Sequence, residues 1–329
     1  MSAPTEICPN VWLGPSPDPS ITFGPDGECL FKDMNFDVQI EATDLAQIPD
    51  NKTFKALEEF LERRDKGHIS DCELPILEFP GSGAILPPTW SHGEVDGLLA
   101  TCEWIYRHAN ALPNPKKRRD SKLSISPPSS PERDADGDST MHGANSEKKP
   151  GRKILIHCTD GYTESSLLAL AYYMYSEGVP CHDAWLHLHR EKGRNFFAYA
   201  SDVALLRAIQ PRILQSSPKH TGSFRQLCPP VPDWLEKMDG SLPSRVLPYM
   251  YLGNLGHANN PSLLTELGIG QILSVGEPVS WSREVIETWP RESLLFVDKV
   301  QDNGVDPLTD EFGRCLEFIG KHNPFQRSS

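Results

Sequence analysis

With 329 residues, 38% of them hydrophobic, the chain has room for about two domains with real cores. Its formal net charge of −13 argues against a general nucleic-acid binder, which would present a basic face. No apolar run approaches ~18 residues, and the start, Met1 to Cys8, lacks the basic and apolar regions of a signal peptide. The expectation is a protein without a membrane segment, cytoplasmic and/or nuclear. Eight cysteines are scattered without a Cys-x-x-Cys pair or zinc-like spacing, which reads as reduced thiols and no metal site.

In chain order, Asn10 to Gly14 reads as a short strand ended by glycine and proline, and Phe36 to Ala42 as a second with alternating apolar residues. Thr53 to Arg64 carries Phe54, Leu57, Phe60 and Leu61 at helical spacing. Pro75 to Phe79 reads as a third strand, followed by a Gly/Pro-rich loop to Trp90. Ser91 and Glu94 form a capping box for a helix running to about His108. Strands alternating with helices predict an α/β fold built on a parallel sheet flanked by helices.

Residues 113–150 hold almost no large apolar side chains and read as a disordered insertion. The basic residues concentrate there: positions 113–153 hold ten Lys/Arg against six Asp/Glu, leaving −17 for the remainder. Lys116 to Arg119 is a candidate nuclear-localisation patch, and Ser126 and Ser130, each before a proline, are candidate phosphorylation sites; a plain solvated linker is the favoured reading of both, since such strings are frequent in disordered segments.

Next comes a buried strand, Lys153 to Ile156 and on to Cys158, then a turn with Gly161, then a helix with Leu167, Leu168, Leu170 and Ala171. Such a turn aims backbone N–H groups and a helix N-terminus at an anion above Cys158. Helices follow over about Ser165–Glu177, Cys181–Lys192 and Tyr199–Leu214. His187 and His189 stand two apart on one helix, about 200° around it, and cannot share a metal. Residues 216–243 are again Pro/Ser-rich and read as a linker. Arg245 to Asn254 then echoes Asn10 to Gly14, with a helix at Pro261–Leu267, strands at Gln271–Val275 and Leu294–Val300, and a helix from Thr309 to near Gly320.

The segment His157-Cys158-Thr159-Asp160-Gly161-Tyr162-Thr163-Glu164-Ser165 resembles the His-Cys-x5-Arg-Ser/Thr signature loop of the cysteine-dependent protein phosphatases. The aromatic-Leu-Gly openings narrow the resemblance to fungal dual-specificity phosphatases with duplicated modules. It implies a degenerate first module at 8–215 and, at 244–329, the first half of a second and incomplete copy. It also implies Cys158 as nucleophile, Ser165 as the hydroxyl near its sulfur, Arg194 as a buried or site-facing arginine, and Asp302, or as second choice Asp306, as the second module's general acid, with phosphoproteins or signalling proteins as partners and no cofactor. The position of the phosphate-clamping arginine is taken by Glu164, and Asp160 adds a second negative charge. Glu78 is the one candidate general acid near the third strand. Arg grips phosphate through a charged bidentate fork; a carboxylate in its place adds repulsion of roughly 4 kcal/mol per charge pair at about 4 Å and an effective dielectric of about 20. The expectation is a weakly active or inactive phosphatase module. Two other readings are a pseudophosphatase that scaffolds signalling proteins and, ranked last because of the acidic neighbours, a redox thiol at Cys158. In the resemblance, the second module's own Cys and Arg would lie beyond Ser329.

Overall fold

In the computed structural model the chain is described at residues 3–17, 34–70, 73–83, 90–113, 150–223, 227–298, 300, 305 and 308–321. These fall into two units, Met1–Pro80 with Trp90–Gly161, and Gly81–Thr89 with Tyr162–Ser329. The basic patch at 116–119, the Ser-Pro sites and nearly all of the 113–150 insertion lie outside the described residues, as do Asp302 and Asp306.

The first unit is organised by a five-stranded sheet. Its strands are β1 (Thr5–Cys8), β2 (Val11–Pro15), β3 (Val38–Thr43), β4 (Ile76–Pro80) and β5 (Ile154–Cys158), in the order β1-β2-β5-β3-β4. Strands β2, β5, β3 and β4 run parallel, and β1 joins antiparallel at the edge. β5 lies between two parallel neighbours and is buried on both faces, so its residues need no polar alternation. Two helices belong to this unit, α1 (Asn51–Asp65) and α2 (His92–Ala109). Asp50 caps α1 by accepting the Thr53 N–H at 2.8 Å, and Phe54, Leu57 and Leu61 form its buried stripe. On α2 the expected capping box is present: Glu94 N–H donates to Ser91 Oγ at 3.2 Å, and Ser91 N–H donates to the Glu94 carboxylate. Phe54 stacks on Trp104, and Arg107 reaches Glu58 at 2.7 Å, tying the two helices together.

The second unit begins with three helices, α3 (Ser166–Glu177), α4 (Cys181–Arg190) and α5 (Ala200–Ser216). Every residue of α3 from Ser166 to Ser176 is buried, so the helix is enclosed on all sides, and it ends on Gly178 in the left-handed conformation. Further along are the antiparallel pair β6 (Ser244–Leu247) and β7 (Met250–Leu252), α6 (Leu255–Ala258) and α7 (Pro261–Glu266). β8 (Ile272–Val275) and β9 (Leu294–Val297) form a parallel pair, with α8 (Arg283–Thr288) between them in sequence and α9 (Phe312–Lys321) after them. Val297, Val300 and Cys315 form a small core packed by Leu273. The 216–243 stretch is anchored within this unit: Trp234 is buried and its carbonyl accepts from Asn260 Nδ2 at 2.9 Å, while Gly240 O accepts from Ala198 N at 2.7 Å.

Candidate active site: the loop after the central strand

Parallel sheets present functional groups at the carboxyl ends of their strands. β5 ends there with His157 and Cys158, in register with Gly14 and Pro15 of β2. Cys158 is 1% exposed. Its thiol lies 3.6 Å from Asp160 Oδ1 as donor to the carboxylate, so a thiolate at this position would face a like charge. His157 is buried, and neither ring nitrogen has a hydrogen-bond partner among the described residues. Burial pushes its pKa down to about 4, which keeps the ring neutral.

Thr159 and Asp160 are exposed, and the Thr159 carbonyl accepts from Ser16 N at 3.4 Å. Gly161 turns the loop with φ 68°, and a Cβ built there would stand 2.3 Å from the Gly14 carbonyl carbon. Only glycine fits that approach. Gly14 is itself crowded, since a Cβ on it would meet Pro4 Cβ at 2.9 Å. The glycine of the aromatic-Leu-Gly opening makes room for Pro4, and Gly161 makes room for the Gly14 backbone.

Residues Tyr162 to Ser165 belong to the second unit. Tyr162 is exposed, and its carbonyl accepts from Phe197 N at 2.9 Å. The Thr163 carbonyl accepts from Ser166 N at 3.1 Å. Glu164 is half-buried, and Ser165 is buried at the N-cap of α3. Glu78, the candidate acid, is an exposed mid-strand residue of β4 opposite Glu41, with no place in a loop. Arg194 is 2% exposed. His189 is buried with its pKa lowered to about 4 by desolvation, whereas His187 is half-exposed beside Glu191 at 4.0 Å.

The sequence reading missed Ser82 and Asp202. The Leu167 N–H, which a helix start leaves without an intrahelical acceptor, donates to Ser82 Oγ at 2.8 Å. The same hydroxyl lies 3.1 Å from the Glu164 carbonyl and 2.8 Å from Ser166 Oγ, and Ser82 N donates to Glu164 O at 2.8 Å. Ser82 thus caps α3 from 85 residues away in sequence. Asp202, buried in the first turn of α5, holds that segment by accepting Gly83 N–H at 2.9 and 3.2 Å. A Gly-Ser-Gly stretch and an acid at a helix start were the only signals in the sequence.

Burial raises the Asp202 pKa to about 6 against the opposing hydrogen bonds from Gly83 and Ser82. The folded chain keeps this proton to about pH 6 while the unfolded chain releases it near 3.8, so the stability it contributes is present at low pH and is lost as pH rises through 6. Asp202→Asn keeps an acceptor for Gly83 and removes the titration. Urea midpoints of wild type and variant should therefore converge toward pH 4 and separate above pH 6 in favour of Asn; a constant offset across that range would contradict the assignment.

The strand ending in His-Cys thus stands at the carboxyl edge of a parallel sheet, followed by a glycine turn and an enclosed helix. No protein-family model matches the chain. The dual specificity protein phosphatase PPS1 of Saccharomyces cerevisiae is 35% identical to it over 153 residues, which cover 39% of this chain and 19% of that protein. This chain thus spans about a fifth of that relative's length. Among solved structures, the human tyrosine phosphatase-like serine/threonine/tyrosine-interacting protein aligns over 65% of this chain and 99% of its own at 14% identity and a TM-score of 0.34. The active form of Tk-PTP aligns over 64% of this chain and 97% of its own at 18% identity and a TM-score of 0.33. Over those 153 residues the chain is similar to a yeast dual-specificity protein phosphatase.

Proposed function

We propose that this chain is part of a dual-specificity-type protein phosphatase in which the 157–165 loop keeps the frame of a phosphate site and lacks its cationic clamp. Its substrate class is phosphoproteins, and as it stands the loop turns phosphate esters over weakly or not at all. The carrying observation is the composition of the loop: Cys158 ends the central strand with Asp160 against its sulfur, and Glu164 stands six residues on where the arginine is required. In the intact reaction a thiolate attacks phosphorus, guanidinium and loop amides hold the equatorial oxygens, and an acid protonates the leaving oxygen. Here the nucleophile is in place, the clamp has the opposite charge, and Glu78 on its strand cannot serve as the acid. Asp302 is the general-acid candidate of a second module at 244–329, following a first module at 8–215.

The contact between Cys158 and Asp160 also favours a second reading, a pseudophosphatase that binds signalling proteins without turnover. One experiment separates the two. The full chain carrying Glu164→Arg is assayed with p-nitrophenyl phosphate, beside wild type and the double variant Glu164→Arg/Cys158→Ser. A rise of at least ~10-fold that vanishes in the double variant supports a site built for catalysis; a well-folded Glu164→Arg chain with no turnover and no affinity for vanadate would leave the scaffold reading standing.

A further inference from the structure

Helix α5 buries one side and leaves the other open. Val203, Leu206, Ile209, Gln210 and Ile213 are buried, whereas Ala204, Arg207, Ala208 and Pro211, spaced three to four residues apart, share the opposite side. Two of those four are alanines, so space remains above the helix. The chain returns beside that space at 227–231, and Gln210 fastens the return: its Oε1 accepts from Cys181 N at 3.0 Å, and its Nε2 donates to Leu227 O at 3.5 Å. The result is a pocket of about 410 Å³. Its size lies within the usual range of small-molecule sites, about 300–1,000 Å³. Leu227, Pro229 and Val231 supply apolar lining across from the alanines, and Cys228 is an exposed member of the same lining.

The charge of this pocket runs against that of the chain. The sequence carries a net −13, yet among the described residues the lining holds no carboxylate. Two side chains there can be cationic, Arg207 and His182. Burial lowers the His182 pKa, helped by Arg207 and opposed by Asp183 and Glu266, so the ring is neutral near pH 7. Its Nε2 lies 3.5 Å from Asp183 Oδ1. Arg207 is left as the fixed positive charge. It is half-buried, and among the described residues its guanidinium has neither a hydrogen bond nor an ion pair. A guanidinium drawn partly out of water without a carboxylate has given up hydration that an incoming anion can replace through two parallel N–H···O bonds.

We propose that this pocket binds a small organic carboxylate, with the anionic group in the fork of Arg207 and a compact apolar body between the alanines of α5 and the 227–231 segment. One fixed positive charge matches one negative charge. A phosphate dianion would call for further cations, which the described lining does not have. The apolar side chains around the guanidinium select for the body of the ligand and exclude the bare inorganic ions that an exposed arginine would bind equally well. Neither wall includes a residue of the 157–165 loop, so the site does not depend on the phosphatase reading.

Cys228 makes the test direct, because an occupant of the pocket would shield its thiol. The full chain is alkylated with iodoacetamide, a neutral reagent, and modification of Cys228 is followed by peptide mass spectrometry with and without phenylpropanoate or its uncharged amide, phenylpropanamide. The acid is expected to slow alkylation at concentrations at least ~10-fold lower than the amide requires, the discrimination of a charge-assisted bond. Arg207→Gln should remove that preference. Ala208→Trp, which fills the recess from an exposed helix position, should abolish protection by both probes, read as the ratio of rates with and without probe. Both substitutions lie on the outer side of α5 and leave its buried side intact. Equal protection by acid and amide, no protection by millimolar acid, a preference that persists in Arg207→Gln, or protection that survives Ala208→Trp would each overturn the proposal. Phenyl phosphate protecting as well as the carboxylate would equally overturn it.

Discussion

Lowering the pH from 7 to 5 is expected to cost the fold roughly 4 kcal/mol. Three histidines in the two units, His108, His157 and His189, have their pKa lowered to about 4, each by burial above all other causes. Their unfolded value is 6.5, so between 6.5 and 4 the unfolded chain takes up protons that the folded chain refuses, and stability falls as pH falls through that window. At pH 5 each histidine accounts for roughly 2 kcal/mol relative to neutral solution, and Asp202, shifted the other way, returns roughly 1 kcal/mol. Urea denaturation at pH 7, 6 and 5 measures the sum, and His157→Gln should remove about a third of the histidine contribution. An unchanged slope in that variant would mean His157 is not the buried, uncharged ring described. The same burial has a consequence for chemistry: through the physiological range the neighbour of Cys158 carries no positive charge to steady a thiolate.

The second large effect is at the loop turn. Gly161 and Gly193 both hold positive φ, 68° and 63°, yet an added methyl at Gly193 meets nothing within 4 Å. Gly193→Ala therefore pays for the left-handed backbone alone, about 1 kcal/mol. Gly161→Ala adds a collision with the Gly14 carbonyl carbon at 2.3 Å and Pro15 N at 2.5 Å, backbone atoms that cannot turn aside. A loss of about 3 kcal/mol or more is expected, as for an overpacked core position. Thermal melts of the two variants make the comparison, and equal shifts would show that the loop does not approach β2 as described.

Local signals were legible in the sequence where one residue type has one physical use. The apolar run ending at Cys158 read as a strand because a strand buried on both faces has no reason to alternate, and it is the central one. Ser91 and Glu94 announced the start of α2 because a capping box is a contact three residues apart. The repeat of Trp12-Leu13-Gly14 in Tyr251-Leu252-Gly253 was visible as letters, and the structure supplies its reason in the proline packed on each glycine. Ser82 and Asp202 escaped because their contacts join positions 85 and 119 residues apart, and nothing local marks a serine that caps a distant helix. Glu78 lies on the strand where the sequence put it, and its nearness to the following loop in sequence leaves its side chain on that strand.

The two ends of the 114–149 segment are clasped together. Asn10 Nδ2 donates to Ala109 O at 3.0 Å, Arg152 N donates to His108 O at 3.0 Å, and Gly151 lies so near the Ala109 carbonyl that a side chain there would overlap it. Whatever those 36 residues do, they leave and re-enter the fold at a single closed stem. Closing a loop costs entropy that grows only with the logarithm of its length, so cutting this one to a four-residue turn would change stability by roughly 2 kcal/mol. A stem of this kind is a socket: length, charge and sequence can be exchanged there with the sheet, its central strand and the cysteine at its tip left in place.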